Sequence, residues 1–138
     1  MNKPLPVIIK HTLENIRAVK FAYLFGSHAR GTPGPLSDVD IAVCIDNRFD
    51  FFSFRLRLLE ELSRQLKGQS CDLVVLNNAP LVLQYEIIRD GKVLKEDKPR
   101  RVQFEVRVLR QYLDTVHIRS VHISSVKRSF SKEHHLGQ

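Results

Sequence analysis

Two short apolar runs, Phe21-Ala22-Tyr23-Leu24-Phe25 and Ile41-Ala42-Val43-Cys44-Ile45, flank a loop rich in glycine and proline. Apolar runs of this length bounded by turn residues read as buried strands, so strands are predicted near 20–25 and 38–45. A third run, Cys71-Asp72-Leu73-Val74-Val75-Leu76, predicts a strand over 71–76 that is apolar on both faces apart from Asp72. Elsewhere the apolar spacing lengthens to that of a helix. Residues 7–19 carry Ile8, Ile9, Leu13, Ile16 and Val19 at such spacing, behind a Pro4-Leu5-Pro6 lead-in expected to stay extended. Residues 50–67 form a stripe of Phe51, Phe54, Leu58, Leu59, Leu62 and Leu66, with Asp50 or Asn47 as a cap and Gly68 as the stop. A turn at Asn77-Asn78-Ala79-Pro80 opens a helix over 80–90, and Asp90-Gly91 turns the chain into Lys92-Val93-Leu94-Lys95. Its flanking lysines mark that strand as a sheet edge. Val102, Val106, Leu109, Tyr112 and Leu113 predict a last helix over 98–113, after which the period fades.

The order of these elements predicts an α/β fold, a small mixed sheet with helices packed on it. Residues 1–113 are expected to form one domain, and residues 114–138 a basic tail that is partly disordered or ordered by a partner. The 138 residues, 43% hydrophobic and 27% charged, are ordinary globular composition and enough for a real core. No apolar run approaches the roughly 18–20 residues that span a bilayer. Lys10 and His11 interrupt Val7-Ile8-Ile9, so no export signal is visible and the cytoplasm is the expected compartment. Cys44 and Cys71 are expected as reduced thiols within strands.

The chemistry is concentrated between the first two strands. Phe25 delivers Gly26-Ser27 to a turn, and the returning strand opens on Asp38-Val39-Asp40. Side chains two apart on a strand share a face, so Asp38 and Asp40 point together, and their mutual repulsion calls for a cation. Hard oxygen ligands of this kind suit Mg²⁺ held between carboxylates and phosphates. Gly26 allows backbone to approach a phosphate. Ser27 is placed to cap a following helix whose first amides attract an anion. Asp72 opens an otherwise apolar strand, where a lone carboxylate is costly unless paired or liganded. These residues argue for metal-assisted nucleotidyl transfer.

Gly26-Ser27, then Asp38-Val39-Asp40, then the acidic strand with Asp72, resemble the signature of polymerase-beta-type nucleotidyltransferases. The wording LFGSHARG…SDVDIAV is most similar to the minimal nucleotidyltransferases, and among them to the MntA-like antitoxins encoded beside HEPN-domain toxins. The resemblance implies the polymerase-beta nucleotidyltransferase core and ATP as substrate with Mg²⁺. It implies that Asp38, Asp40 and Asp72 are the catalytic and metal-binding residues, with Asp72 accepting the proton of the attacking hydroxyl. Gly26 and Ser27 would hold the nucleotide, and Arg30 would position a phosphate or brace the loop. It further implies transfer of AMP to a tyrosine of a HEPN ribonuclease toxin, which inactivates it. Transfer to a small molecule such as an aminoglycoside is the alternative enzyme, and a non-catalytic toxin-binding antitoxin the alternative of another class. His28 is left without a role, and Ser37 is read as fixing the loop. Phe51 and Phe54 are core residues that alternatively stack a purine.

The net charge of +7 is uneven: up to Asp97 there are 13 Lys and Arg against 12 Asp and Glu, and from Lys98 onward 9 against 3. The basic C-terminal part reads as a solvated face, a dock for an acidic partner, or a nucleic-acid surface. Few aromatic residues accompany the charge and no nucleic-acid motif appears, so nucleic acid is not the expected partner.

Overall fold

The computed structural model describes residues 3–34 and 37–116. Strands β1 (Val19–Phe25), β2 (Val39–Ile45), β3 (Cys71–Val75) and β4 (Lys92–Lys95) form one sheet in the order β3-β2-β1-β4. β1 lies antiparallel to β2 and β4, whereas β2 and β3 are parallel, so the sheet is mixed as expected. The helices are α1 (Leu5–Glu14), α2 (Ser27–Arg30), α3 (Phe51–Gln65), α4 (Leu81–Asp90) and α5 (residues 98–116).

Alternation along the strands sorts the core into two layers. Ile41, Val43, Leu73 and Val75 pack with Ile9 and Leu13 of α1 and Leu58 and Leu62 of α3. On the opposite face Phe21, Tyr23 and Ala42 pack with Ile87 of α4 and Phe104 and Val108 of α5. A register shift between Val19 and Phe21 explains why Val19 belongs to the first layer although it is odd-numbered like Phe21. By the same alternation Asp38, Asp40 and Asp72 fall on the α4/α5 side. Cys44 and Cys71 are free, half-buried and on opposite faces, and burial pushes both thiols up to about 11.

The expected boundaries of the first helix need correction at both ends. It starts at Leu5, with Pro4 as its N-cap and Pro6 in its first turn. The first amides of a helix have no intrahelical acceptor, so a proline there loses nothing. The helix ends at Glu14, not at 19: Asn15 is its C-cap and donates from its side chain to the His11 carbonyl at 3.2 Å, and Lys95 of β4 donates to the carbonyls of Leu13 and Ile16 at 2.8 Å each. Val19 then begins β1. Asp50, rather than Asn47, caps α3 by accepting the amide of Ser53 at 3.1 Å. Helix α5 is described as far as 116, so residues 114–116 of the expected 114–138 tail are helical, and the rest of that tail, 117–138, lies outside the described residues. No helix among the described residues is long and apolar enough to cross a membrane.

Candidate active site

The site is assembled where β1 ends and β2 and β3 begin. In the β1–β2 ladder Phe25 stands opposite Asp40, so the chain leaves β1 at Gly26 directly beside that carboxylate. In the parallel β2–β3 ladder Asp40 stands level with Asp72. Two carboxylates from sequence-distant strands are thereby neighbours, with Asp38 one step before β2.

Gly26 has φ +72° and ψ −155°, a conformation open only to glycine, and serves as the N-cap of α2. A Cβ at this position would overlap Asp40 Oδ2 and stand 3.1 Å from its Cγ. The absent side chain is therefore what lets Asp40 turn toward the β1–α2 corner. Ser27 is the first residue of α2 and not its cap, which corrects the expected role; its carbonyl accepts the amide of Thr32 at 3.0 Å and closes the turn. Ser27 and His28 are the leading residues of that helix, whose amides have no carbonyl one turn back.

Asp40 has its carboxyl raised above the ordinary range, first by burial, then by the charges of Asp72 and Asp38, against opposing contributions from His28 and Arg30. The three carboxylates thus share one electrostatic neighbourhood, in which Arg30, itself exposed, also stands. They do not stand as a ready-made ligand set: among the described residues no three His, Cys, Asp or Glu groups are gathered for a metal ion. Two of the three are engaged in hydrogen bonds of their own. Asp38 Oδ1 accepts the hydroxyl of Ser70, and Asp72 Oδ1 accepts the backbone amide of Leu73 at 2.9 Å and an Arg55 guanidinium nitrogen at 3.3 Å. The donor chemistry, all carboxylate oxygen beside a glycine corner, nonetheless suits a hard divalent ion.

Three residues without an expected role touch this group. His28 faces the carbonyl of Ser37 at 3.4 Å and offsets the charge around Asp40. Ser70 holds Asp38; the amide of Val39 donates to the Ser70 carbonyl at 3.0 Å, so the ladder itself places that hydroxyl. Arg55 comes from α3 and donates to the carbonyl of Leu73 at 2.7 Å, serving an outward-facing group of the edge strand β3 while its other nitrogen holds Asp72. Ser70 was within reach of sequence reasoning, since it lies two residues before Asp72 as Asp38 does before Asp40. Arg55 was not, because only tertiary packing brings α3 against β3. Phe51 and Phe54 pack against the α1/α3 layer, on the face away from Asp40, which removes the purine-stacking alternative. Cavities of about 380 Å³ and about 640 Å³ lie away from the carboxylates, the first beside Phe49 and Phe54, the second lined by Lys20, Arg100 and Arg107. The acidic group stands on an open rim.

A glycine corner wrapped on one carboxylate, with two more on the adjoining strand starts, fits one comparison directly. Residues 8–100 match the family described as Polymerase beta, Nucleotidyltransferase. The chain belongs to the polymerase beta nucleotidyltransferase family. Its homologue, the protein adenylyltransferase MntA of Shewanella oneidensis, is 31% identical over 131 residues, covering 95% of this chain and 93% of that protein. A solved toxin–antitoxin structure with AMP-PNP superposes at a TM-score of 0.72 with 31% identity, covering 88% of this chain and 97% of that chain. A solved complex of tri-AMPylated Shewanella oneidensis HEPN toxin with MNT antitoxin superposes at 0.65 with 26% identity, covering 88% and 98%. As a nucleotidyltransferase of this family, the chain has its corner and its carboxylates within the matched residues.

Proposed function

We propose that this chain is a protein adenylyltransferase antitoxin, which moves AMP from ATP onto a tyrosine of a HEPN-domain toxin and so silences it. The observation that carries the reading is the Asp40–Asp72 register across parallel strands, with Gly26 making room for Asp40. The near full-length likeness to an adenylyltransferase and to toxin–antitoxin complexes supports the choice of acceptor.

In this reading the triphosphate lies against Gly26 and Ser27, where no side chain intervenes, and Arg30 faces its charge. Asp38, Asp40 and Asp72 are the residues that would hold Mg²⁺. Bound there, the ion would neutralise phosphate charge as the α-phosphate is attacked. Asp72, 55% exposed at its side chain, is open to an incoming partner. It accepts the tyrosine proton as the phenolic oxygen bonds to the α-phosphorus. The bond from the α-phosphorus to the bridging oxygen breaks, and pyrophosphate leaves. Arg55 and Ser70 keep Asp72 and Asp38 oriented before the nucleotide arrives. The cytoplasm, where ATP and ribonuclease targets coexist, is the compartment in which such a reaction works.

Incubation with α-labelled ATP, Mg²⁺ and a HEPN-domain toxin, with an aminoglycoside in a parallel reaction, tests the reading. Label on a toxin tyrosine, absent with Asp40→Asn, is the expected result. Label on an aminoglycoside instead, or neutralisation by Asp40→Asn without any transfer, would replace it by one of the other readings.

A further inference from the structure

The cavity of about 640 Å³ stands at the other end of the sheet from the carboxylates. Phe21 and Cys44, which line it, are partners in the ladder that also pairs Phe25 with Asp40. Four residues of strand, about 13 Å, therefore separate it from the acidic group. One wall is the face of α5 that carries Arg100, Phe104 and Arg107 at helical spacing, and the other is the strand ends around Lys20 and Cys44. Three cations, Lys20, Arg100 and Arg107, line it against one carboxylate, Asp46. That carboxylate is already taken: Arg48 donates to both its oxygens, from Nε at 3.2 Å to each and from Nη2 at 2.9 Å to one. Lys20 stands 4.0 Å from it, beyond a hydrogen bond. Arg100 is engaged by Asp97 through Nε at 3.1 Å. Among the described residues Arg107 has no hydrogen-bond or ion-pair partner; its guanidinium lies over the Phe104 ring, 5.5 Å from the centroid. Burial pushes the Cys44 thiol up to about 11 against the pull of Arg107 and Arg100, so both charges reach the sulfur inside the cavity.

We propose that this cavity is a second ligand site, which takes a phosphate group, free or esterified to a small molecule, between Lys20, Arg100 and Arg107. Lysine and arginine offer hydrogen-bond donors only, and a guanidinium fork matches two oxygens of one phosphate. The volume lies in the range of small-molecule pockets and exceeds what a bare phosphate fills. The amides of Asn47 and Gln103 border the remaining space and suit a polar body. The rim is held in place without a ligand. Asn77 accepts the Ile45 amide at 2.9 Å and donates to the Ile45 carbonyl at 2.8 Å and to Asn47 Oδ1 at 3.0 Å, so Asn47 is left to offer its amide nitrogen. The cavity shares no residue with the glycine corner and needs no acceptor protein, so it is independent of the proposed function.

The test titrates inorganic phosphate and, separately, AMP into the full-length chain without Mg²⁺, read by calorimetry and by the alkylation rates of the two cysteines. Either probe should slow alkylation of Cys44 severalfold, because it covers the thiol and cancels the positive charge that favours the thiolate. Cys71, beside Asp72 at the other end of the sheet, reports on the glycine corner instead. Tighter binding of AMP than of phosphate identifies the ester, and equal binding the free anion. Arg100→Ala with Arg107→Ala should weaken binding at least about tenfold and remove the protection of Cys44, with unchanged circular dichroism. Lys20→Gln, on another element, should weaken it as well, and decides the matter if the arginine variant fails to fold. No protection of Cys44 by either probe, protection of Cys71 alone, or binding that survives the substitutions overturns the site. So does retention of single-stranded RNA by a wild type that binds neither small probe, which would make the cations a nucleic-acid face.

Discussion

Replacing Gly26 by alanine isolates the contact on which the site is built. Two costs are separable. The backbone at φ +72°, ψ −155° is closed to alanine, and strain of that kind costs about 1–3 kcal/mol. The new Cβ also collides with the Asp40 carboxylate, and forcing an atom into an occupied place costs about 1–3 kcal/mol more. The sum, about 2–6 kcal/mol, is a large part of the 5–15 kcal/mol typical of a domain. It should lower the thermal midpoint by roughly 10–20 °C for a chain of this size. In the protein that still folds, Asp40 is pushed off its line, and misplacement by about 1 Å costs on the order of a hundredfold in rate. A double-mutant cycle separates the parts. In an Asp40→Ala background the collision partner is gone, because only the Asp40 Cβ remains, 3.4 Å from the added methyl group. Gly26→Ala should then cost only the backbone share, leaving a coupling of about 1–3 kcal/mol between the two positions. Urea unfolding of the four proteins supplies the numbers. Zero coupling, or a Gly26→Ala protein as stable and active as the wild type, would refute the reasoning.

Three further outcomes are expected. Because Asp40 has a raised carboxyl, its share of folded-state stability is fully present below the ordinary carboxylate range and is lost as pH rises through its folded value. The difference in urea midpoint between wild type and Asp40→Asn should therefore move against the wild type on going from acid to neutral pH, and a difference flat with pH contradicts the charge cluster. Asp50→Ala removes the α3 cap; it should cost about 1 kcal/mol in thermal unfolding while AMP transfer stays at the wild-type level. Arg55→Ala frees Asp72 and strips a partner from the Leu73 carbonyl. It should cost about 1–2 kcal/mol and slow transfer, whereas Arg55→Lys, which keeps a donor, should recover part of both losses in the same assays.

What could be read in the sequence was whatever depends on alternation and local spacing. The apolar runs located β1, β2 and β3, and the two-residue repeat put Asp38 and Asp40 on one side; that Asp72 joins them was implied by the family resemblance and rests on the β2–β3 register. What needed a third element could not be read. Gly26 was expected to make room for a phosphate; that it first makes room for Asp40 depends on the Phe25–Asp40 register. Ser27 looks like a cap in one dimension, but the glycine ahead of it takes that place. At the early end of α1 the C-cap Asn15 is local, but Lys95, which takes up the carbonyls beyond it, stands more than 80 positions from Leu13, which no local window contains. Arg55 acts on Asp72 because α3 lies along an edge strand, and its own surroundings in the sequence look like any charged helix face. Val102, Val106, Leu109 and Leu113 of α5 read as an ordinary apolar stripe; only the packing shows that these four are exposed and that Phe104 and Val108, between them in the chain, take the core.

The acidic group and its metal can be tested most directly by titrating AMP-PNP, with no acceptor protein present, into wild type, Asp40→Asn and Asp72→Asn, with and without Mg²⁺. If Asp38, Asp40 and Asp72 close on the ion that carries the triphosphate, Mg²⁺ tightens binding to the wild type by at least about tenfold, and each substitution removes most of that gain. Binding to the wild type that ignores Mg²⁺, or an Mg²⁺ gain that survives both substitutions, would contradict it.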